Sequence, residues 1–342
     1  MAKDGYRYKV VLVDYDEDLF APRGWEAEKL AEVGASWATA QHRSPEAIVE
    51  AAMDADVVMI QSVRPLLAAE VIDCLDRCRL IIRVGIGYDS VDLEAATRRG
   101  ILVSNVPRYC VEEVAEHTVA LMLAAWRCLG HQDRALREGV WDRRLAGSAR
   151  RLDRRTLGLL GFGDIGQRVA WRGKGLGLEV MAHDPYVSDQ VFAEHGVKRA
   201  ELEELLRGSD ILSLHLPLNA STRHILGAKE LAFLPPRAVV VNTSRGGLID
   251  QRALVAGLQS GHLAAAGLDV FEEEPIPDGD PILELEQVIL TPHTAGYSVD
   301  SVDDLYRRAC QIAAQVLGGK VPDTVVSPGA VGAAKARWAL AD

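Results

Sequence analysis

Apolar residues fall along this chain in two alternating rhythms. Short aliphatic runs at 9–14 (KVVLVD), 57–60 (VVMI) and 80–84 (LIIRV) read as buried strands. The stretches 25–33, 47–53 and 68–75 carry apolar positions at helical spacing. A helix over 93–99 and a strand over 101–104 complete a first α/β unit, and the alternation implies a parallel sheet. Apolar positions 111, 114, 115, 118, 119, 122, 123 and 126 then form one stripe, which predicts a single helix over 111–129 that bridges to a second unit. Segment 134–155 is polar and rich in arginine, as a solvated connector or a subunit contact would be. From 156 the alternation resumes, with strands expected over 156–160, 178–183, 211–214, 238–242, 264–270 and 288–291. An amphipathic helix over 302–317 follows the last strand and is expected to pack back on the first unit.

The strand at 156–160 runs into Gly161-Phe-Gly163-Asp164-Ile165-Gly166 and then a helical pattern. In a strand, turn and helix of this kind the first glycine permits a tight turn. The second lets the backbone approach a pyrophosphate, and the third lets helix pack on strand. An anion then sits at the helix N-terminus, where free N–H groups and the dipole favour negative charge. Glycines at this spacing also occur in ordinary turns, so the next strand matters. It ends at Asp184, about twenty residues past the glycines, where a ribose-binding carboxylate belongs.

With 342 residues the chain exceeds what one core usually serves, so two domains are expected. A formal net charge of −11 argues against nucleic acid or an anionic membrane as partner, so attraction of an anionic substrate has to be local. The five cysteines form no CxxC pair and suggest neither a disulfide framework nor a metal site. They fit a reducing cytoplasm. No apolar stretch approaches membrane-spanning length, and a soluble, unexported protein is expected.

Ligands of open α/β sheets bind at the carboxyl ends of strands. Four polar strand ends stand out in the second unit: Asn242-Thr-Ser-Arg245-Gly-Gly, Asp269, Glu272-Glu-Glu274-Pro275 and Thr291-Pro-His293. A cation, a carboxylate and an imidazole there suit binding of an anion and movement of a proton near neutral pH. The same residues are also compatible with a solvated acidic loop and one ordinary histidine among nine.

The order GxGxxG, NTSRGGLID, GLDVFEEEP and LTPH resembles the D-isomer-specific 2-hydroxyacid dehydrogenase family, over about residues 8 to 326. That family contains phosphoglycerate dehydrogenase, D-lactate dehydrogenase and the C-terminal-binding proteins, and RVGIGYDSVDLEAATRRGI and NVPRYCVEEVAEHTVALML resemble the C-terminal-binding-protein branch most closely. The resemblance implies an α/β fold of two doubly wound, Rossmann-like parallel-sheet domains. The substrate domain would be discontinuous (1–105 and 298–342) and the NAD-binding domain central (106–297), the latter building a homodimer. It implies His293 as acid/base, Glu274 as its partner and Arg245 as the holder of the substrate carboxylate. It also implies that Thr118, Gly161, Gly163, Asp164, Ile165, Gly166, Asp184, His215, Thr243 and Asp269 line NAD, with Asp269 meeting the nicotinamide carboxamide. Arg83, Val84, Gly85 and Ile86 would face a small anionic substrate, Arg83 alternatively pairing with Asp89 or Glu112. Gly296 stands where the C-terminal-binding branch has Trp, a departure from that branch's pattern. The expected reaction is reversible hydride transfer between NAD(H) and a small 2-hydroxy or 2-keto acid. A phosphorus-oxyacid dehydrogenase and an NAD(H)-sensing, corepressor-like protein are the rivals.

Overall fold

The computed structural model describes residues 5–147 and 150–341, and its backbone builds two parallel sheets in two units. One unit comprises the chain up to Cys110 together with Tyr297 onward, and the other spans Val111–Gly296. The first break falls later than 105 because Val106 donates its N–H to Gly85 O (2.9 Å) and is buried in the first unit's core.

In the first unit the strands are β1 (Tyr8–Leu12), β2 (Ala35–Thr39), β3 (Val57–Ile60), β4 (Leu80–Arg83) and β5 (Leu102–Asn105). Helices α1 (Glu26–Ala31), α2 (Pro45–Ala52), α3 (Ala69–Ile72) and α4 (Leu93–Arg99) connect them. The order is β2-β1-β3-β4-β5, all parallel, the flavodoxin-like arrangement. Alternate side chains serve two cores. Val10, Leu12, Val57, Met59, Leu80 and Ile82 point to one face, and Val11, Val13, Val58, Ile60, Ile81 and Val103 to the other. Strand β2 escaped the sequence pattern because it is an edge, with only Ala35 fully buried.

The second unit opens with α5 (Val111–Trp126) and α6 (Leu129–Arg137). The helix expected over 111–129 ends at Trp126, because Cys128 sits at φ +55°, outside helical geometry, and a second helix starts at Leu129. The supposed connector therefore begins as a helix. The sheet follows: β6 (Thr156–Leu160), α7 (Asp164–Gly175), β7 (Glu179–His183), α8 (Asp189–Glu194), β8 (Lys198–Arg199), α9 (Leu202–Gly208) and β9 (Ile211–Leu214). It continues with α10 (Ala228–Phe233), β10 (Ala238–Asn242), α11 (Gln251–Gln259), β11 (Leu263–Leu268) and β12 (Val288–Leu290). The order is β12-β11-β10-β9-β6-β7-β8, so the strand direction of travel reverses between β6 and β9. That reversal is the switch point where dinucleotides bind in such sheets. Seven strands replace the expected six, the extra one being the two-residue β8.

Helix α12 (Val299–Leu317) belongs to the first unit. A capping box between Ser298 and Ser301 starts it, three residues before the apolar periodicity begins. Val302, Leu305, Tyr306, Ala309, Ala313 and Val316 are buried in the same core as β1, β3 and β4. Each large aliphatic side chain among them contributes roughly 1.5–3 kcal/mol by leaving water. The Tyr306 hydroxyl donates to Phe20 O (2.7 Å), and burial raises its pKa well above the ordinary value. Helix α13 (Val331–Trp338) closes the unit. No helix among the described residues is long and apolar enough to cross a membrane.

Candidate active site

Strand β6 is buried along Leu157–Leu160 and stops because Gly161 adopts φ +101°. A Cβ on Gly161 would lie 2.4 Å from His215 O, and one on Gly166 2.5 Å from Gly161 O, so neither position accepts a side chain. A Cβ on Gly163 would meet nothing within 4 Å. Backbone there is open to a ligand. Gly163 is the N-cap of α7 and its first-turn N–H groups receive no side-chain cap, so the turn fits a pyrophosphate. Asp164 is exposed in that first turn, whereas the Ile165 side chain packs on the unit's own core.

Asp184 follows β7, and its carboxylate accepts from Phe162 N (2.9 Å) and Tyr186 N (2.9 Å). These two bonds hold it beside the glycine turn. His215 follows β9 across the switch point and shares a hydrogen bond between Nε2 and Ser213 Oγ (2.9 Å). Its Nδ1 is buried without a partner among the described residues, and burial pushes its pKa down to about 3. The ring is neutral at neutral pH.

The end of β10 is shaped by Asn242, which accepts from Ser244 N (3.0 Å) and donates to Arg245 O (2.8 Å). Ser244 Oγ donates to Leu214 O (2.7 Å), tying this turn to the end of β9. Thr118 Oγ1 donates to Val114 O (2.7 Å), so the 2.7 Å bond between Thr118 and Thr243 must be donated by Thr243. Gly246 passes so close to Phe271 that a Cβ would stand 1.9 Å from its carbonyl carbon. This approach brings the Arg245 turn against the acidic loop.

In that loop Glu272 and Glu273 are exposed and Glu274 is half-buried. Glu274 Oε1 accepts from Phe271 N (3.0 Å), and Oε2 meets His293 Nδ1 at 2.6 Å. Burial pulls the Glu274 carboxyl up, but His293, the Phe271 N–H and the Arg245 charge together outweigh it and leave it below the ordinary carboxylate range. His293 Nε2 makes no hydrogen bond among the described residues. An ionised carboxylate on one imidazole nitrogen, with the other nitrogen free, makes a proton donor and acceptor. Arg245 donates from Nη1 to Ser244 O (2.7 Å), which fixes one edge of its fork.

Asp269 is fully buried at the end of β11, and protein groups bond both its oxygens. Thr291 Oγ1 (2.6 Å) and Thr294 N (2.9 Å) donate to Oδ1, and Ala295 N (2.9 Å) to Oδ2. Two contributors were not singled out from sequence. His117 meets Thr291 Oγ1, and His224 pairs with Glu272, whose other oxygen accepts from Gln251 N (3.1 Å). Neither lies in a motif that announces a partner so distant in sequence.

In the first unit Arg83 is buried at the end of β4 and donates from Nη1 to Val84 O (3.1 Å). Its guanidinium occupies the space a Cβ would need on Gly85, 1.4 Å from Nη1. Asn105 Nδ2 donates to Ile86 O (2.7 Å), holding the turn of Val84, Gly85 and Ile86.

Residues 119–295 match the family model for the D-isomer specific 2-hydroxyacid dehydrogenase, NAD binding domain. Over 294 residues the chain is 37% identical to a glyoxylate reductase of Korarchaeum cryptofilum, covering 85% of this chain and 88% of that protein. It is 39% identical over 287 residues to a D-3-phosphoglycerate dehydrogenase of Methanocaldococcus jannaschii, covering 82% of this chain and 53% of that one. The chain thus spans about half the length of that phosphoglycerate dehydrogenase. A D-lactate dehydrogenase from Aquifex aeolicus, solved with NAD and lactic acid, superposes with a TM-score of 0.81 at 27% identity, over 93% of this chain and 99% of that one.

Proposed function

Since this chain belongs to the D-isomer-specific 2-hydroxyacid dehydrogenase family and carries its NAD-binding domain, we propose that it interconverts a small D-2-hydroxy acid and its 2-keto acid. The observation that carries this reading is the 2.6 Å pair of Glu274 and His293, with Arg245 acting electrostatically on Glu274. Bound NAD(H) would supply the hydride acceptor or donor. The chain's residues do the rest.

In the proposed reaction Arg245 holds the substrate carboxylate through its guanidinium fork and orients C2. His293 Nε2 gives a proton to the C2 oxygen during reduction and takes it during oxidation. Glu274 stabilises the imidazolium that each cycle requires. Gly161, Gly163 and Gly166 with the N-terminus of α7 receive the pyrophosphate, and Asp184 the ribose hydroxyls. Thr118, Thr243, His215 and Asp269 line the remainder of the cofactor. Arg83, with the backbone of Val84, Gly85 and Ile86, is proposed as a further anion-binding group.

A homodimer built through the second unit is supported by Leu129, Leu136, Val140 and Trp141, large apolar side chains exposed in and just after α6, with Trp141 83% exposed. Five free cysteines support a reducing, cytoplasmic setting. The test is NADH oxidation with a panel of 2-keto acids, run beside NADH binding and NAD reduction with phosphite. Turnover of at least one keto acid is expected. NADH binding with no turnover of any panel member, or turnover of phosphite alone, would overturn the reading.

A further inference from the structure

His293 is held in an unusual way. Its backbone lies at φ +54°, the left-handed region that residues other than glycine seldom occupy, so the turn 291–295 has to be imposed by its surroundings. Asp269 does most of this. Its carbonyl accepts from His293 N (2.8 Å), and its buried carboxylate accepts from Thr294 N, Ala295 N and Thr291 Oγ1.

The Thr291 hydroxyl has a single proton. An ionised carboxylate only accepts, so that proton goes to Asp269 Oδ1, and toward His117 Nε2, at 2.9 Å, Thr291 can only accept. His117 must therefore carry its proton on Nε2. The chain of donors runs one way, from His117 Nε2–H to Thr291 Oγ1–H to Asp269. His117 Nε2 also lies 3.6 Å from Asp269 Oδ1 itself. The residue comes from α5, adjacent to Thr118, so consecutive positions of one helix brace the ends of β10 and β12.

We infer that His117 is a positioning residue for the reaction: by donating to Thr291 it completes the Thr291–Asp269 clamp that sets His293 against Glu274. This rests on the proposed acid/base role of His293. It does not touch substrate or the reacting atoms. Removing the donor leaves Thr291 Oγ1 held by its bond to Asp269 alone, and the turn that carries the imidazole loses one of its fixed points. Misplacement of a reacting group by a fraction of an ångström lowers the chemical step more than binding.

The experiment compares His117→Leu, His117→Gln and the parent protein. The amide of glutamine supplies an N–H donor near the position of Nε2, and leucine supplies none. Steady-state kcat and KM with the best keto acid, NADH affinity by fluorescence, and 15N–1H spectra of histidine-labelled protein without cofactor are recorded. The parent spectrum is expected to show His117, assigned by its loss in the variants, as the Nε2–H tautomer. His117→Leu should lower kcat by about tenfold or more while NADH affinity stays within about twofold, and should move the His293 ring resonances. His117→Gln should recover kcat to within about threefold of the parent. An Nδ1–H tautomer at His117, unmoved His293 resonances in the leucine variant, or glutamine no better than leucine would each overturn the inference. If the parent turns over no keto acid the proposed function fails, and the His117 tautomer in the parent and the His293 resonances of the leucine variant still decide the positioning role.

Discussion

Replacing Glu274 by Gln keeps the side chain's size and removes its charge. Glu274 uses both oxygens, one for Phe271 N and one for His293 Nδ1. Glutamine has one oxygen, so one partner must face an NH2 group. If the NH2 turns to His293, Nδ1 has to accept, and the imidazolium loses its support altogether. If it turns to Phe271, a backbone donor loses its acceptor. In the milder case a charged hydrogen bond of roughly 1.5–3 kcal/mol becomes a neutral one of roughly 0.5–1.5 kcal/mol. The difference is about 1.5 kcal/mol, or about one pH unit at 1.36 kcal/mol per unit. The side chains are 30% and 25% exposed, and solvent screening trims this toward half a unit. Since the carboxylate favours the protonated ring, its removal moves the controlling limb of the rate profile to lower pH in both directions. Keto-acid reduction, which needs a proton donor, fails earlier as pH rises. Hydroxy-acid oxidation, which needs an acceptor, starts earlier. Initial rates of both reactions measured across about pH 5 to 10 are the assay. A limb that stays in place in both directions would refute the pairing as the source of acid/base function.

His293→Ala should lower kcat by roughly 10² to 10⁴-fold and leave NADH affinity unchanged, as titration of NADH fluorescence would check. NAD should be used more efficiently than NADP, because a 2′-phosphate would bring negative charge to the Asp184 carboxylate; equal kcat/KM values would contradict this. His215 is neutral in the fold with its pKa at about 3 against an ordinary 6.5, so stability present above 6.5 is lost as pH falls toward 3. Melting temperature against pH should therefore flatten over that interval in a folded His215→Gln variant. Arg83→Ala should raise KM for the anionic substrate and lower kcat, with thermal melting separating this from a loss of stability.

Much of the protein is written locally. The glycine turn, the acid after β7 and the order of polar strand ends depend on spacings of a few residues, and a fixed backbone geometry reads such spacings directly. The alternation of buried runs and helical stripes likewise revealed both parallel sheets, because strands covered on two faces are almost wholly apolar. Where an element has only one buried side, that signal fades. Strand β2 buries one residue fully and β8 is two residues long, and their pairing partners alone make them strands. The left-handed residue that ends α5 is Cys128, not the nearby Gly130, which lies inside α6. The site divides in the same way. Arg245, Glu274 and His293 stand out in the sequence as polar residues at strand ends, their roles there implied by the family resemblance, and the fold pairs Glu274 with His293. Asp269's use as a clamp, the neutrality of His215 and the part played by His117 were not legible there. Each depends on which hydrogen-bond donors and how much water the folded chain brings to one atom: 174 residues separate His117 from Thr291. Only packing brings such residues together, and no pattern along the chain encodes it.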